Sequence, residues 1–114
     1  MAVLPSSVTI DAVVYQVKVV DADELMQATR QDNCLGYVLH TKNIIYVLDT
    51  LAPSAQEAVL IHEAIHALDN QHDLDLSESD VRTLGVAIPA FLKANGFWHN
   101  PHIKEGKHGR VHTV

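Results

Sequence analysis

The first third of the chain carries residue types that favour strands and then switches to types that favour a helix. Residues 8–20 are dense in Val, Ile, Thr and Tyr, and residues 11–12 offer a bend, so this stretch predicts two short strands or one long one. Residues 21–31 are rich in Ala, Glu, Leu, Met and Gln, which predicts a short helix with Leu25 and Met26 facing the core.

A second pair of strand patterns follows this helix. Residues 35–41 and 43–49 predict an antiparallel pair, because Asn43 at their junction tolerates the left-handed conformation that a tight turn needs. Both faces of the second strand are largely apolar. We therefore expect one of its faces to pack on helices and the other to be partly covered.

A helical period begins after Pro53, where residues 54–57 match a capping box and predict a helix start. Along this helix the main apolar residues share one face, and a second stripe carries two histidines and an acid. The two stripes are Ala58, Ile61, Ile65 and Leu68, and Val59, His62, His66 and Asp69.

Another helix is predicted after a polar loop at residues 70–76, because residues 77–80 form a second capping box. Gly85 would permit close approach to a neighbouring helix, and Pro89 predicts a kink because it removes a helical hydrogen bond. The expected buried stripe of this helix is Val81, Leu84, Ile88 and Leu92.

Length and composition bound the domain organisation. A chain of 114 residues allows one domain with a modest core, and 47% apolar with 19% charged residues is typical of a globular protein. We assign residues 1–98 to a single domain. Residues 99–114 are predicted to form an extended or mobile tail, which is rich in histidine: His99, His102, His108 and His112.

The net charge of −6 argues against nucleic acid or an anionic membrane as a partner, since both require clustered Lys and Arg. Cys34 is the only cysteine, so no intramolecular disulfide can form, which favours a reducing compartment. The first residues carry no positive charge, and no apolar run approaches the ~20 residues of a membrane span. We therefore expect the protein to stay in the cytoplasm.

The chemically most informative stretch is His62-Glu63-Ala64-Ile65-His66, a His-Glu-x-x-His motif inside a predicted helix. Positions four apart lie on one helix face, so both imidazoles can point at one ion. Glu63 lies beside them, where it can serve as general base toward a metal-bound water. This spacing indicates a zinc hydrolase.

Two histidines are too few for a catalytic zinc site, which usually has three protein ligands and a water. We choose Glu78 as the third ligand, because a short loop folds the next helix back and brings its first turn near His66. Asp80 and His72 are the alternatives. Asp69 shares the histidine face and can orient an imidazole from outside the ligand set, or it is simply solvated.

Together, the motif through Asp69, the following Leu76-Ser77-Glu78 and the helix ending in Asn95 resemble small HExxH proteins of phages and prophages. These are related to the ImmA/IrrE-type zinc metallopeptidases. The resemblance spans residues 36–95. It implies an α+β fold of the minimal zincin-like type, with a small antiparallel or mixed sheet packed on an active-site helix and a following antiparallel helix. It also implies zinc held by both histidines and Glu78, inside a bacterial host cell.

Two functions follow as hypotheses. The first is a zinc-dependent metallopeptidase that hydrolyses a protein or peptide substrate through a zinc-activated water, with Glu63 as general base. An extended peptide would pair with residues 43–49 as a sheet edge, and the oxyanion donor is left open between Tyr37, Tyr46, His40 and a tail histidine. The second is a non-catalytic interaction module with a structural or vestigial zinc site. The substrate and the oligomeric state are not predicted.

Overall fold

The computed structural model describes residues 4–97, and within them the fold is α+β, as predicted. The predicted tail, residues 99–114, lies outside the described residues. The elements follow in the order β1 (Ser7–Ile10), β2 (Val13–Val20), α1 (Ala22–Thr29), β3 (Gly36–Leu39), β4 (Ile44–Leu48), α2 (Pro53–His72) and α3 (Glu78–Ala94). No helix in this part of the chain has the length and apolar character needed to cross a membrane.

The four strands form one mixed sheet in the order β1-β2-β4-β3. β2 and β4 pair in parallel, whereas β1–β2 and β3–β4 are antiparallel. The prediction that residues 43–49 form a sheet edge is therefore wrong, because β4 lies between two strands. The reason is that Ile45 and Val47 are fully buried on one face and Tyr46 is buried on the other, and a strand that is apolar on both faces gains most from an interior position. The edges are β1 and β3.

Both predicted turns are confirmed and rest on residues with positive φ. Asp11 and Ala12 have φ values of 56° and 74°, which is the backbone of a two-residue hairpin between β1 and β2. Asn43, with φ of 55°, turns the chain between β3 and β4. These left-handed conformations match the twist of the flanking strands and set their register.

Helices cover both faces of the sheet, so the core has two parts. On one face α1 contributes Leu25, which packs with Val20 and Tyr46. On the other face α2 contributes Leu60 and Ala67 to a larger cluster with Ile10, Tyr15, Val38, Ile45 and Val47. Successive residues of β4 thus alternate between the two clusters, as the pleat of a strand requires.

The short helix α1 buries less than the pattern predicts. Leu25 is buried, but Met26 is exposed, which corrects that prediction. Neighbouring helix residues point about 100° apart, and an eight-residue helix that packs on one side only can bury a single stripe. Asp21 caps the helix by accepting a hydrogen bond from the Glu24 N–H.

The start of α2 differs from the predicted capping box. Ala52 is the N-cap, without a side-chain hydrogen bond, and Pro53 occupies the first turn. Proline suits this position because the N–H it lacks would have no helical partner. Gln56 turns back instead, and its side-chain amide donates to the carbonyl oxygens of Asp49 and Leu51 at 3.3 and 3.1 Å.

The apolar stripe predicted for α2 is only partly buried. Ile65 is buried, but Ala58 and Leu68 are exposed. Leu60 and Ala67 are buried instead, on the face that packs against the sheet. The reason is that α2 lies between two layers, with the sheet on one side and α3 on the other, so two separate stripes are covered.

α3 packs antiparallel to α2 and begins with the predicted capping box. Ser77 Oγ accepts from the Asp80 N–H at 3.0 Å, and Asp80 Oδ2 accepts from the Ser77 N–H at 3.1 Å. Val81 is fully buried, whereas Ile88 is exposed, contrary to prediction, because α3 packs mainly on α2, which covers one side of it. The helix continues through Pro89 to its end.

Gly36 allows β3 to lie directly against α2, which generates a prediction about stability. A Cβ at Gly36 would lie 2.3 Å from Val59 Cγ1 and 3.0 Å from the Tyr46 carbonyl oxygen. We expect Gly36→Ala to lower the free energy of unfolding by about 1–3 kcal/mol, measured by urea denaturation.

The matched control is Gly85→Ala in α3. A Cβ there would make ordinary contacts, 3.8 Å from Ile65 Cδ1 and 3.9 Å from His62 Cα. This substitution should raise stability by roughly 0.5–1 kcal/mol, because glycine is unfavourable inside a helix. If both substitutions changed the free energy of unfolding by the same amount, the close contact with Val59 would not be the reason for glycine at position 36.

Candidate metal centre

His62 and His66 lie on one face of α2 with their rings facing each other. The ring centroids are 4.9 Å apart with an interplanar angle of 68°. Both side chains reach solvent, with exposed fractions of 24% and 29%. The two imidazoles are therefore neither turned apart nor sealed in the core, and the helical spacing alone accounts for their approach.

Glu78 meets both histidines from the first turn of α3. Its Oε2 lies 3.1 Å from His62 Nε2, and its Oε1 lies 3.1 Å from His66 Nε2. Across these three residues, one potential ligand atom from each lies within 4.8 Å of the others. The antiparallel packing of α3 on α2 thus brings together the two motif histidines and the acid chosen as third ligand.

The donor set fits a zinc ion. In a tetrahedral site with bonds of about 2.0–2.1 Å, neighbouring ligand atoms lie about 3.3 Å apart. Here each histidine lies 3.1 Å from a different oxygen of Glu78, and one ligand atom from each residue lies within 4.8 Å of the others, so the three would draw together around an ion. Two imidazole nitrogens and one carboxylate are also a known catalytic zinc set. Among residues 4–97 no fourth His, Cys, Asp or Glu joins this group, which would leave a coordination position for water or substrate.

The two alternative ligands have other partners. Asp80 completes the capping box of α3 through the Ser77 N–H. His72 is the last residue of α2, not part of the predicted loop, and its Nε2 pairs with Asp11 in the β1–β2 turn. Neither is among the residues that converge on the two motif histidines.

Asp69 connects α2 to the loop that precedes α3. Its Oδ1 accepts a hydrogen bond from the Leu76 N–H at 3.2 Å, and its backbone oxygen accepts from the Leu74 N–H at 3.2 Å. These bonds set the path of the chain toward Glu78. The side chain thus helps to position the third acid through the loop, a role that the sequence pattern does not indicate.

Glu63 points into the same cleft and has a strongly altered acidity. Burial, and then the nearby Glu78 carboxylate, raise the pKa of Glu63 from 4.5 to about 7, while a backbone hydrogen bond from Val38 opposes the shift. Val38 belongs to the edge strand β3. The Glu63 carboxyl group therefore lies between α2, which carries both histidines, and β3, an edge strand of the sheet.

The residues considered as donors to the oxyanion lie in different parts of the fold. Tyr46 belongs to the cluster under α1, and Tyr37 alternates onto that same face, so both tyrosines lie on the side of the sheet away from α2. His40 lies near His66 and Asp69. Burial, and then His66, lower the pKa of His40, with Asp69 opposing, and its buried Nδ1 has no hydrogen-bond partner among the described residues.

A cleft of about 540 Å³ opens beside the three converging residues. Its lining includes residues that the sequence analysis did not select: Asn33, Leu35, Gly36, Arg82, Gly85 and Val86. Of these, Arg82 carried a usable signal, because it follows Glu78 by four positions on one helix, and its Nη2 lies 3.6 Å from Glu78 Oε2. The others come from a loop, a strand and a helix that meet only in the folded chain.

Comparison with protein-family models, curated proteins and solved structures finds no match to this chain. The resemblance to phage HExxH proteins therefore stays a prediction based on the residues that carry it.

The arrangement predicts which side chains bind zinc. We expect replacement of His62, His66 or Glu78 by alanine to weaken zinc binding by more than the roughly 10–100-fold typical of changes outside a ligand set. Isothermal titration calorimetry on protein stripped of metal measures the affinity. His72→Ala is the matched control and should bind zinc like the wild type, and an equal loss in that variant would contradict the assignment.

The raised pKa of Glu63 predicts a pH dependence of stability in metal-free protein. Between pH 4.5 and about 7 the folded chain binds more protons at Glu63 than the unfolded chain, so stability falls as pH rises through this range. Glu63→Gln should remove this loss and be more stable than wild type by the order of 1–3 kcal/mol at pH 8.

Urea denaturation in the presence of a chelator measures this difference across the pH range. The two proteins should converge below pH 4.5, where Glu63 is protonated in both states. Glu24→Gln, which changes an exposed acid of α1, serves as the control and should follow the wild-type profile. If the free energy of unfolding of wild type and of Glu63→Gln changed with pH in the same way, the raised pKa of Glu63 would be contradicted.

Proposed function

We propose that this chain is a zinc-dependent metallopeptidase of the zincin-like type, acting on a protein or peptide substrate in the cytoplasm of a bacterial host. The observation that supports the proposal most directly is the convergence of His62, His66 and Glu78, two of which, His62 and Glu78, line an open cleft together with Glu63. A set of three ligands with a neighbouring carboxyl group is the arrangement that metal-assisted hydrolysis requires.

His62, His66 and Glu78 would hold the zinc ion. When bound, zinc would lower the pKa of a water at its open position toward ~7 and polarise a carbonyl oxygen. The chain's own contribution starts with orientation: the two imidazoles come from one helix, and Glu78 comes from the first turn of the next, whose start is set by the Ser77–Asp80 capping box. Such preorganisation keeps the ligand atoms in place without a cost at the time of reaction.

Glu63 would move the proton. Its carboxylate would accept a proton from the attacking water and pass it to the leaving amine, as a general base and then a general acid. Burial and the Glu78 charge raise its pKa to about 7 in the metal-free chain, and a bound cation would favour the carboxylate form that accepts the proton.

Arg82 is the group best placed to stabilise negative charge on the substrate carbonyl. It is the cation among the described residues that line the cleft, and it lies next to Glu78. A guanidinium donates hydrogen bonds in a fixed plane and keeps its charge at all relevant pH values. It would therefore act as the oxyanion donor, which the sequence analysis left open between Tyr37, Tyr46, His40 and a tail histidine that lies outside the described residues.

The edge strand β3 would align the peptide, in place of β4. Leu48 donates its N–H to the Leu35 carbonyl, so residues 35, 37 and 39 form the hydrogen-bonded pairs with β4. The backbone groups of Gly36 and Val38, which alternate with them, point away from β4 toward the open edge. Gly36 lines the cleft, and its backbone groups, together with the Val38 carbonyl, could pair with an extended peptide as a further strand, since the Val38 N–H already bonds to the Glu63 carboxyl group. The substrate backbone would then pass in front of Glu63.

The alternative is a non-catalytic interaction module that retains a structural or vestigial zinc site. A structural zinc ion is normally closed by four protein ligands. Within residues 4–97 three candidate ligands converge and His72 pairs with Asp11, so this alternative would take its fourth ligand from a histidine of the tail, outside the described residues.

Glu63→Gln separates these readings. The substitution keeps the size of the side chain but removes its basicity, so zinc affinity should stay unchanged while hydrolysis falls by about 10²–10⁴-fold. Zinc-loaded protein is incubated with unfolded casein and a library of blocked peptides, and mass spectrometry detects the products. His72→Ala should retain both properties.

Full hydrolysis by Glu63→Gln would show that the proposed mechanism is wrong. If the zinc-loaded wild type cleaves none of these substrates while still binding zinc through His62, His66 and Glu78, the interaction module becomes the better reading.

A further inference from the structure

We propose that the cleft beside the metal centre selects substrates by a bulky apolar side chain next to the reacting peptide bond. The inference rests on the proposed function and adds a substrate class to it. Two observations support it: the residues that line the cleft are largely apolar although they are exposed to solvent, and few of the lining residues are charged.

The walls come from three separate parts of the fold. Leu35 stands in the loop before β3, Ala58 and Val59 are on α2, and Val86 is on α3. Leu35 is 52% exposed and Val86 is 71% exposed, so the cleft presents two large uncovered apolar side chains. A matching apolar side chain would remove this surface from water, which is the favourable term in most ligand pockets.

Charged groups in the lining are confined to the metal centre. Among the described residues of the cleft they are Glu63, Glu78 and Arg82, and the last two already lie within 3.6 Å of each other. An acidic substrate side chain would approach two carboxyl groups, and Arg82, the cation in this lining, is already paired with Glu78. A basic side chain would meet Arg82 and find Glu78 engaged by Arg82 and by the zinc ion, so either charge would lose hydration for less gain than an apolar side chain obtains from the apolar walls.

The size of the cleft fits this class of occupant. A volume of about 540 Å³ lies within the usual range of ligand pockets. Gly36 and Gly85 line it without side chains, and the contact between Gly36 and Val59 excludes a Cβ from the first position. The space beside the ligand residues is thus kept open by the close packing of β3 on α2.

Because the cleft lies next to the residues proposed to carry out the reaction, it would affect which peptide bonds are cleaved and not only which peptides bind. Glu63 and Glu78 belong to the same lining as the apolar residues. A peptide carbonyl at the open metal position would therefore have the side chain of an adjacent residue inside the cleft. Differences in that side chain would change the rate of cleavage as well as binding.

Peptide binding tests the inference without relying on catalysis. Zinc-loaded Glu63→Gln is titrated with blocked hexapeptides of alanine and glycine that carry one central residue: leucine, phenylalanine, alanine, aspartate or lysine. Calorimetry gives each affinity. We expect the leucine and phenylalanine peptides to bind about 10-fold or more tightly than the alanine peptide, and the charged peptides to bind no better than alanine.

Leu35→Asp in the same background should abolish the preference for leucine over alanine. The matched control is Leu74→Asp, which changes a loop leucine of nearly equal exposure, 51%, that does not line the cleft. It should retain the preference. Equal affinities for all five peptides, or equal effects of the two aspartate substitutions, would overturn the inference.

A second pair of variants covers the case in which Leu35→Asp does not fold, as judged by circular dichroism. Val86→Ser should reduce the leucine preference several-fold, and Val14→Ser, which changes an exposed valine of β2 outside the cleft, should not. Equal preferences in these two proteins would again overturn the inference.

The wild-type enzyme and the same peptides distinguish this failure from failure of the proposed function. Cleavage with no preference for an apolar residue on either side of the broken bond would refute the inference and leave the peptidase intact. Selective binding of leucine and phenylalanine peptides without any cleavage would refute the peptidase, and apolar recognition by the cleft would stand.

Discussion

The contact of the Glu78 carboxylate with two imidazoles joins the two long helices at the point on which the proposed chemistry depends. Each carboxylate oxygen lies 3.1 Å from a different Nε2. Nothing in α2 alone can supply this third group. It arrives because Asp69 directs the loop after α2, and because the Ser77–Asp80 capping box starts α3 with Glu78 in its first turn. The candidate metal centre is thus a consequence of how one helix ends and the next begins.

This arrangement places two carboxyl groups close together at the edge of the core, which opposes folding. The raised pKa of Glu63 expresses the conflict, because burial and the Glu78 charge both disfavour its ionised form. A divalent cation between them would reverse the balance, since it favours ionised ligands and neutralises the local charge. If the site binds a metal ion as proposed, its stability and its metal affinity would depend on the same residues.

The sheet contributes by bringing an edge strand against the motif helix. Gly36 is the position where the backbone of β3 comes so close to Val59 that no Cβ fits. This contact places Val38 near Glu63 and leaves an apolar cleft between β3, α2 and α3. The interior position of β4 serves the same end, because its buried residues on both faces fix the layer on which α2 rests. The cleft and the candidate metal centre beside it therefore both follow from the packing of β3 and α3 against α2.

Local features of this protein could be read from its sequence, because each depends on residues close together in the chain. The four-residue spacing of His62 and His66 needs only a helix, the turn at Asn43 needs only a residue that tolerates positive φ, and the Ser77–Asp80 box needs only a helix start. Features that depend on packing could not be read in this way. The exposure of Met26 and the interior place of β4 follow from which elements pair, and the meeting of Leu35, Arg82 and Val86 around one cleft needs the whole fold. Periodicity reports which side of an element is apolar, whereas only the tertiary structure decides which surface covers it.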